Sequence, residues 1–138
     1  MASSSQHVSV FIERPAGEVY DYAADPANVP VWASGLGSSV ELVDGQWIAQ
    51  SPMGRVAIAF APRNDFGVLD HEVTLPSGER VLNPMRVIPD GPSACEIIFT
   101  VRRQPGTSDE KFARDANTVA ADLATLKRVL EAATADAG

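Results

Sequence analysis

Cysteine and histidine are scarce in this sequence of 138 residues, which contains one cysteine and two histidines. The single cysteine, Cys95, cannot form an internal disulfide, so the sequence is typical of a reducing compartment and we expect a cytoplasmic location. Its strand-like surroundings indicate a small buried hydrophobe rather than a nucleophile. The sequence has neither an HxxxH nor a CxxC spacing, so we predict no metal site and no cofactor.

Basic residues are also few. The chain has 11 Lys and Arg residues against 18 Asp and Glu residues, and its net charge is -7. Nucleic acids and anionic membrane surfaces both require a basic patch, so we expect neither as a partner. No apolar run approaches the ~20 residues of a membrane span, and the first residues lack the basic start and apolar core of a signal peptide. We therefore expect no membrane insertion, and we leave open a monomer or a homodimer.

The composition that is present indicates one globular domain. Hydrophobic residues make up 45% of the chain and charged residues 21%, which separates it from disordered sequences. A chain of this length suits a single core. We predict a disordered N-terminus at residues 1–5, one domain over residues 6–133 and a flexible tail at residues 134–138.

The chain opens with a strand and two short helices. Residues 8–13 alternate apolar and polar side chains, as in a half-buried strand. Pro15 suits the first position of a helix, because a residue there needs no N–H. In that helix, the apolar spacing directs Tyr22 rather than Tyr20 inward. A second short helix is predicted after Asp25, which can cap it.

Residues 39–103 form a run of short strand-like segments in which one hairpin carries most of the functional argument. Leu69, His71 and Val73 alternate with polar residues, so they share one strand face. Asn83 and Met85 share the corresponding face of the returning strand. Because this face is mostly apolar, we expect it to look inward.

The loop length of this hairpin decides its register. A two-residue loop would place His71 opposite Pro84. A three-residue loop at residues 77–79 would place His71 opposite Met85 and set Asp70 against Arg86. We predict the three-residue loop, because it brings the apolar sets together and matches opposite charges on the other face.

The last strand, residues 94–103, alternates as well, and its pattern alone leaves open which face is buried. The closing helix is predicted from residue 108 to about residue 133, with Ser108 as its N-cap. Its apolar residues follow a helical repeat and form one buried stripe: Phe112, Ala116, Val119, Leu123, Leu126 and Leu130.

These elements predict an α+β helix-grip fold. In such a fold a curved antiparallel sheet, here of six or seven strands, surrounds a long C-terminal helix, and two short helices follow the first strand. The space between the sheet and the long helix is an apolar pocket suited to a small molecule.

The same segments carry a family resemblance. Residues 12–22 (IERPAGEVYDY), the Asp25-Pro26 pair and residues 30–32 (PVW) resemble the start of the START-like (SRPBCC) superfamily. Residues 67–76 (GVLDHEVTLP) and 83–86 (NPMR) resemble an uncharacterised bacterial branch of it. The superfamily includes the polyketide cyclase/dehydrase, lipid-transport and Bet v 1-like proteins, and the resemblance extends from residue 8 to about residue 130. It implies the fold more strongly than any one chemistry, because members of one fold bind or transform unrelated ligands.

His71 is the foremost candidate for a functional side chain. It lies on the face predicted to look into the cavity, where burial would lower its pKa and keep the ring neutral. It could contact a ligand, act as a general acid/base, or serve as a core histidine bonded to a backbone carbonyl or to Asn83. The predicted ligand-binding set is His71, Asn83, Met85, Trp32, Tyr22, Leu69, Val73, Phe112, Val119 and Leu123.

Three functions remain open from the sequence. The leading prediction is binding or sequestration of a small hydrophobic molecule in the cavity, without catalysis. The alternative is a polyketide cyclase/dehydratase-type enzyme, a lyase or isomerase, that uses His71 in the same cavity. The third is an interaction protein with a collapsed cavity. A cavity of roughly 300 Å³ or more favours the first two functions, whereas a filled core favours the third.

Overall fold

The computed structural model describes residues 4–33, 38–52 and 54–137, with side chains as far as residue 132. The predicted disordered N-terminus (residues 1–5) and flexible tail (residues 134–138) lie partly outside the described residues, at residues 1–3 and 138. The first strand already begins at Ser5, and the last helix continues to Ala137 rather than ending near residue 133.

The described chain contains eight strands, three α-helices and one short 3-10 helix. The strands are β1 Ser5–Ile12, β2 Ser39–Val43, β3 Gln46–Ser51, β4 Gly54–Phe60, β5 His71–Thr74, β6 Arg80–Asn83, β7 Met85–Pro89 and β8 Cys95–Arg102. The helices are α1 Ala16–Ala23, the 3-10 helix Pro26–Asn28, α2 Val29–Trp32 and α3 Asp109–Ala137. The strands form two antiparallel sheets, ordered β1-β8-β7 and β2-β3-β4-β5-β6. The predicted fold class is therefore confirmed.

The strand count exceeds the predicted six or seven because Pro84 interrupts one continuous segment. Proline has no N–H to donate to a ladder, so β6 ends at Asn83 and β7 begins at Met85. The chain then passes from the five-stranded sheet to the three-stranded sheet. The carbonyl of Pro84 still accepts the amide of Thr100 in β8, at 2.9 Å, which connects the sheets at the bend.

The helical corner after β1 differs in detail from the prediction. Pro15 flanks α1 as its cap residue, in extended conformation, rather than being the first helical residue. Asp25 caps the 3-10 helix as predicted, because its Oδ1 accepts the amide of Ala27 at 3.0 Å. Within the described residues, no helix combines the length and apolar character that a membrane span requires.

The choice between the two tyrosines of α1 was wrong. Tyr20 is buried, and its hydroxyl accepts the amide of Asn64 at 3.0 Å. Tyr22 is only half-buried. Helical spacing could not find this, because the loop after β4 is what covers Tyr20.

The β5–β6 hairpin has the predicted loop length but a different register. His71 faces Asn83 rather than Met85. The amide of Leu75 donates to the carbonyl of Glu79 at 2.8 Å, so the three loop residues are 76–78. The third position of such a loop takes a positive φ, and Gly78 occupies it with φ 90°. A loop at 77–79 would have placed a glutamate there.

The predicted faces survive this correction, because a shift of two residues returns every side chain to the same face. The Asp70–Arg86 ion pair also forms, across the diagonal, with 2.9 Å between Oδ2 and Nη2. The Asp70 carboxylate accepts the amide of Met85 as well, at 2.9 Å. The hydrogen bonds from Arg86 and Met85 hold the pKa of Asp70 below its usual value against the opposing effect of burial.

The structure also orients β8, which the pattern had left open. Cys95, Ile97, Phe99 and Val101 are the buried face of this strand. The predicted N-cap of α3 is confirmed, because Ser108 Oγ accepts the amide of Lys111 at 3.1 Å. The apolar stripe of α3 packs over β1 and β8 and completes the core.

Candidate functional site

A cavity of about 700 Å³ lies between the sheet and α3. Its wall is formed by β5, β6, β8, the end of α2 and the first half of α3. Most of the wall is apolar, and its aliphatic and aromatic residues are Trp32, Ala33, Val73, Leu75, Val81, Phe99, Val101, Val119 and Leu123. The volume is well above the roughly 300 Å³ that separates a ligand cavity from a filled core.

His71 lies in the cavity wall and is only 1% exposed. Its Nδ1 is 3.1 Å from the carbonyl oxygen of Leu69. Because a carbonyl can only accept, Nδ1 carries the proton and donates it. The ring centroid is 5.0 Å from that of Phe60 and 5.6 Å from that of Phe99. His71 Nε2 is buried and has no hydrogen-bond partner among the residues described.

Burial lowers the pKa of His71 from its ordinary value. The protonated ring would be a cation in an apolar site, and burial penalises the charged form. The Leu69 carbonyl and the Asp70 carboxylate oppose this effect, and the net direction is still downward. The predicted lowering is confirmed, and the ring is neutral at pH 7, with Nε2 as a hydrogen-bond acceptor.

Trp32 ends α2 and forms another part of the cavity wall. It is 3% exposed, and its indole Nε1 also has no hydrogen-bond partner in the described part of the chain. An indole N–H can only donate. Among the buried atoms of the described wall residues, two are therefore unpartnered: an acceptor, His71 Nε2, and a donor, Trp32 Nε1.

Charged side chains line another part of the wall. Lys111 and Asp115 form an ion pair on α3, with 3.1 Å between Nζ and Oδ2. Glu79, Arg102 and Asp122 also line the cavity. Since Glu79, Arg102 and Lys111 are exposed, this charged part is the side on which solvent meets the cavity.

Six predicted ligand-binding residues line this cavity: Trp32, His71, Val73, Asn83, Val119 and Leu123. Asn83 faces His71 across the hairpin. The hydrogen bond of the His71 ring is nevertheless made by Nδ1 to the carbonyl of Leu69 and not to Asn83. These residues come from four separate segments of the chain, and the fold brings them to one space.

Four predicted residues lie outside the cavity wall. Leu69 and Met85 pack in the core instead, and the amide of Leu69 donates to the carbonyl of Met85 at 2.8 Å. The corrected register explains this, because it pairs Met85 with Leu69 rather than with His71. Tyr22 packs against the core from α1. Phe112 lies under Arg103, whose guanidinium carbon is 5.7 Å from the centroid of the Phe112 ring.

Sequence reasoning missed other wall residues. Val81 shares the strand face of Asn83, so simple alternation could have found it. Phe99 and Val101 required the orientation of β8, which the pattern left open. Asp122 is 9% exposed and adjoins Leu123 on α3, where the apolar stripe drew attention away from it.

A smaller groove of about 310 Å³ lies beside α1. Asp21 and Arg63 form an ion pair in it, and the Arg63 guanidinium lies 5.1 Å from the ring centroid of Tyr20. Its polar side chains already pair with one another, Asp21 with Arg63 and the Tyr20 hydroxyl with the amide of Asn64, so the larger and mainly apolar cavity is the candidate site.

Comparisons with known proteins agree on the fold. No family model and no curated protein matches the sequence. An uncharacterized protein from Bacillus thuringiensis superposes with a TM-score of 0.71 at 14% identity, over 91% of this chain and 98% of that one. Truncated norcoclaurine synthase from Thalictrum flavum gives 0.66 at 12% identity, over 94% of each chain.

The di-domain ARO/CYC BexL, from the BE-7585A biosynthetic pathway, gives a TM-score of 0.69 at 18% identity, over 93% of this chain and 46% of that one. Identities at this level support the shared fold and no shared chemistry. The protein therefore has the START-like helix-grip fold, the fold that norcoclaurine synthase and BexL also have.

Proposed function

We propose that the protein binds or sequesters a small hydrophobic molecule in the cavity between the sheet and α3. The observation that carries this proposal is the cavity itself, about 700 Å³ with a mainly apolar wall. Protein cores are otherwise close-packed, with few voids larger than a water molecule. Ligand pockets fall in the range of about 300–1,000 Å³, and this cavity lies well inside it. The same volume argues against an interaction protein with a collapsed cavity.

Native mass spectrometry of the freshly purified protein, followed by denaturing analysis of the released material, tests for a co-purified molecule. Titration with N-phenyl-1-naphthylamine, an uncharged dye that fluoresces in apolar sites, tests the empty cavity directly. We expect saturable binding of the dye at one site.

A pair of tryptophan variants shows where the dye binds. Val81→Trp fills part of the cavity and should abolish dye binding. Leu82→Trp is the matched control, because Leu82 neighbours Val81 on β6 but is 45% exposed on the opposite face. Equal dye binding by both variants would place the dye elsewhere and refute the proposal.

A second candidate function is a cyclase- or dehydratase-type enzyme, and one specific observation favours it. The neutral His71 ring offers an unpartnered Nε2 in the cavity wall, where it could accept a proton from a substrate. Such proton transfer contributes about 10²–10⁴-fold to a rate. Turnover of a polyketide-type substrate that is lost in His71→Ala and retained in Trp32→Phe would support the enzyme. Equal losses in both variants would show that His71 is not the proton acceptor, and no turnover by the wild-type protein would leave binding alone.

A further inference from the structure

His71 and Trp32, two residues of the cavity wall, each have a buried nitrogen without a partner, and these nitrogens have opposite hydrogen-bonding roles. The proton on Nδ1 of His71 is committed to the Leu69 carbonyl, which leaves Nε2 as an acceptor. The indole N–H of Trp32 is a donor. A buried polar group without a partner lowers stability until something satisfies it. A molecule in the cavity that satisfies both atoms is therefore favoured over one that satisfies neither.

We propose that the ligand is a neutral hydroxy-carbonyl compound, whose hydroxyl donates to His71 Nε2 and whose carbonyl accepts from Trp32 Nε1. This inference rests on the proposed binding function and names the class of molecule that the cavity selects. Solvent reaches neither nitrogen in the structure. The proposal therefore requires that the side chains covering the two nitrogens move when the ligand binds.

The surroundings of His71 also disfavour a ligand carboxylate at this position. The Nε2 lone pair would face the lone pairs of a carboxylate, and no proton would lie between them. The aromatic neighbours of the ring are Phe60 and Phe99, and neither supplies a positive charge. A hydroxyl brings the proton that this position lacks, so the position beside His71 selects alcohols and phenols over acids.

A matched series of naphthalenes tests this selection by isothermal titration calorimetry of the wild-type protein at pH 7.5. The probes are 6-acetyl-2-naphthol, its methyl ether 2-acetyl-6-methoxynaphthalene, 2-naphthol and naphthalene, with 2-naphthoate as the acidic comparison. We expect 6-acetyl-2-naphthol to bind most tightly. Methylation of its hydroxyl or removal of its acetyl group should each weaken binding about 2- to 12-fold, the worth of one hydrogen bond.

Two variants assign each preference to its residue. His71→Phe should remove the preference for hydroxyl over methoxy and keep the preference for the acetyl group. Trp32→Phe should do the reverse. The matched controls are His7→Phe and Trp47→Phe, which exchange the same residue types outside the cavity wall and should keep both preferences.

The outcomes separate this inference from the proposed function. If no naphthalene binds, both are overturned. If all the naphthalenes bind with equal affinity, or if 2-naphthoate binds more tightly than 2-naphthol, the hydroxy-carbonyl inference is wrong and the binding function stands. The wild-type series decides this even if a variant does not fold.

Discussion

Replacement of Leu123 by alanine tests the boundary between the core and the cavity. Leu123 is 1% exposed, belongs to the buried stripe of α3 and lines the cavity. Leu126, one turn further along the helix, is fully buried but lies outside the cavity wall. The two leucines therefore make a matched pair of the same residue type on one helix.

The expected losses follow from what each truncation removes. Leu→Ala deletes three carbon groups, and at about 0.8 kcal/mol each the lost transfer free energy is about 2.4 kcal/mol. At Leu126 the deletion also leaves a new void, and ~60 Å³ at about 24 cal/mol per Å³ adds about 1.4 kcal/mol. At Leu123 the freed space joins a cavity that already exists. We therefore expect a loss of about 2–3 kcal/mol for Leu123→Ala and about 4 kcal/mol for Leu126→Ala.

Urea unfolding monitored by circular dichroism measures both losses, provided that the free energy of unfolding depends on urea concentration with the same slope in each variant. Leu82→Ala, at an exposed position on β6, is the control and should change the unfolding free energy by less than about 0.5 kcal/mol. A loss below about 0.5 kcal/mol for Leu123→Ala would mean that α3 is misplaced. Equal losses at Leu123 and Leu126 would remove Leu123 from the cavity wall.

Three further predictions concern stability, each measured by urea unfolding. Because the pKa of His71 is lowered in the folded protein, the unfolded state binds its proton first as the pH falls below about 6.5. The free energy of unfolding should then fall by up to about 1.4 kcal/mol per pH unit until the folded-state pKa is reached. An equal pH dependence in His71→Phe, which lacks the imidazole, would contradict this. Gly67→Ala should cost at least about 1–3 kcal/mol, because Gly67 has φ 71° and an added Cβ would lie 2.2 Å from the Val87 carbonyl oxygen. Its control, Gly17→Ala, meets no atom within 4 Å and should be neutral or stabilising, so an equal loss at both glycines would refute the contact. Ser108→Ala should cost about 1 kcal/mol through loss of the α3 cap, whereas Asn117→Ala, at an exposed position of the same helix, should not destabilise; no difference between them would show that the cap contributes nothing.

Local chemistry made much of the fold predictable from sequence. Asp44 and Gly45 connect β2 to β3 with φ of 50° and 80°, the positive values that an Asp-Gly pair favours in a two-residue hairpin turn. Asp25 and Ser108 cap the helices that they precede. Strand alternation placed His71 on the inner face, and its burial there lowers its pKa as predicted. Each of these features depends on a few neighbouring residues, so a single sequence contains the information.

The tertiary structure decided which predicted residues meet in the cavity. The position of the three-residue loop followed the positive φ of Gly78, and the break at Pro84 took Met85 into the other sheet. The burial of Tyr20 depended on Asn64, in a loop 44 residues away along the chain. The inward face of β8 was set by pairing with β1, where Ile12 meets Cys95. These outcomes depend on contacts between segments that are distant in the sequence. The alternation of apolar and polar residues within one strand does not show which other segment the strand pairs with, so the sequence pattern alone could not predict them.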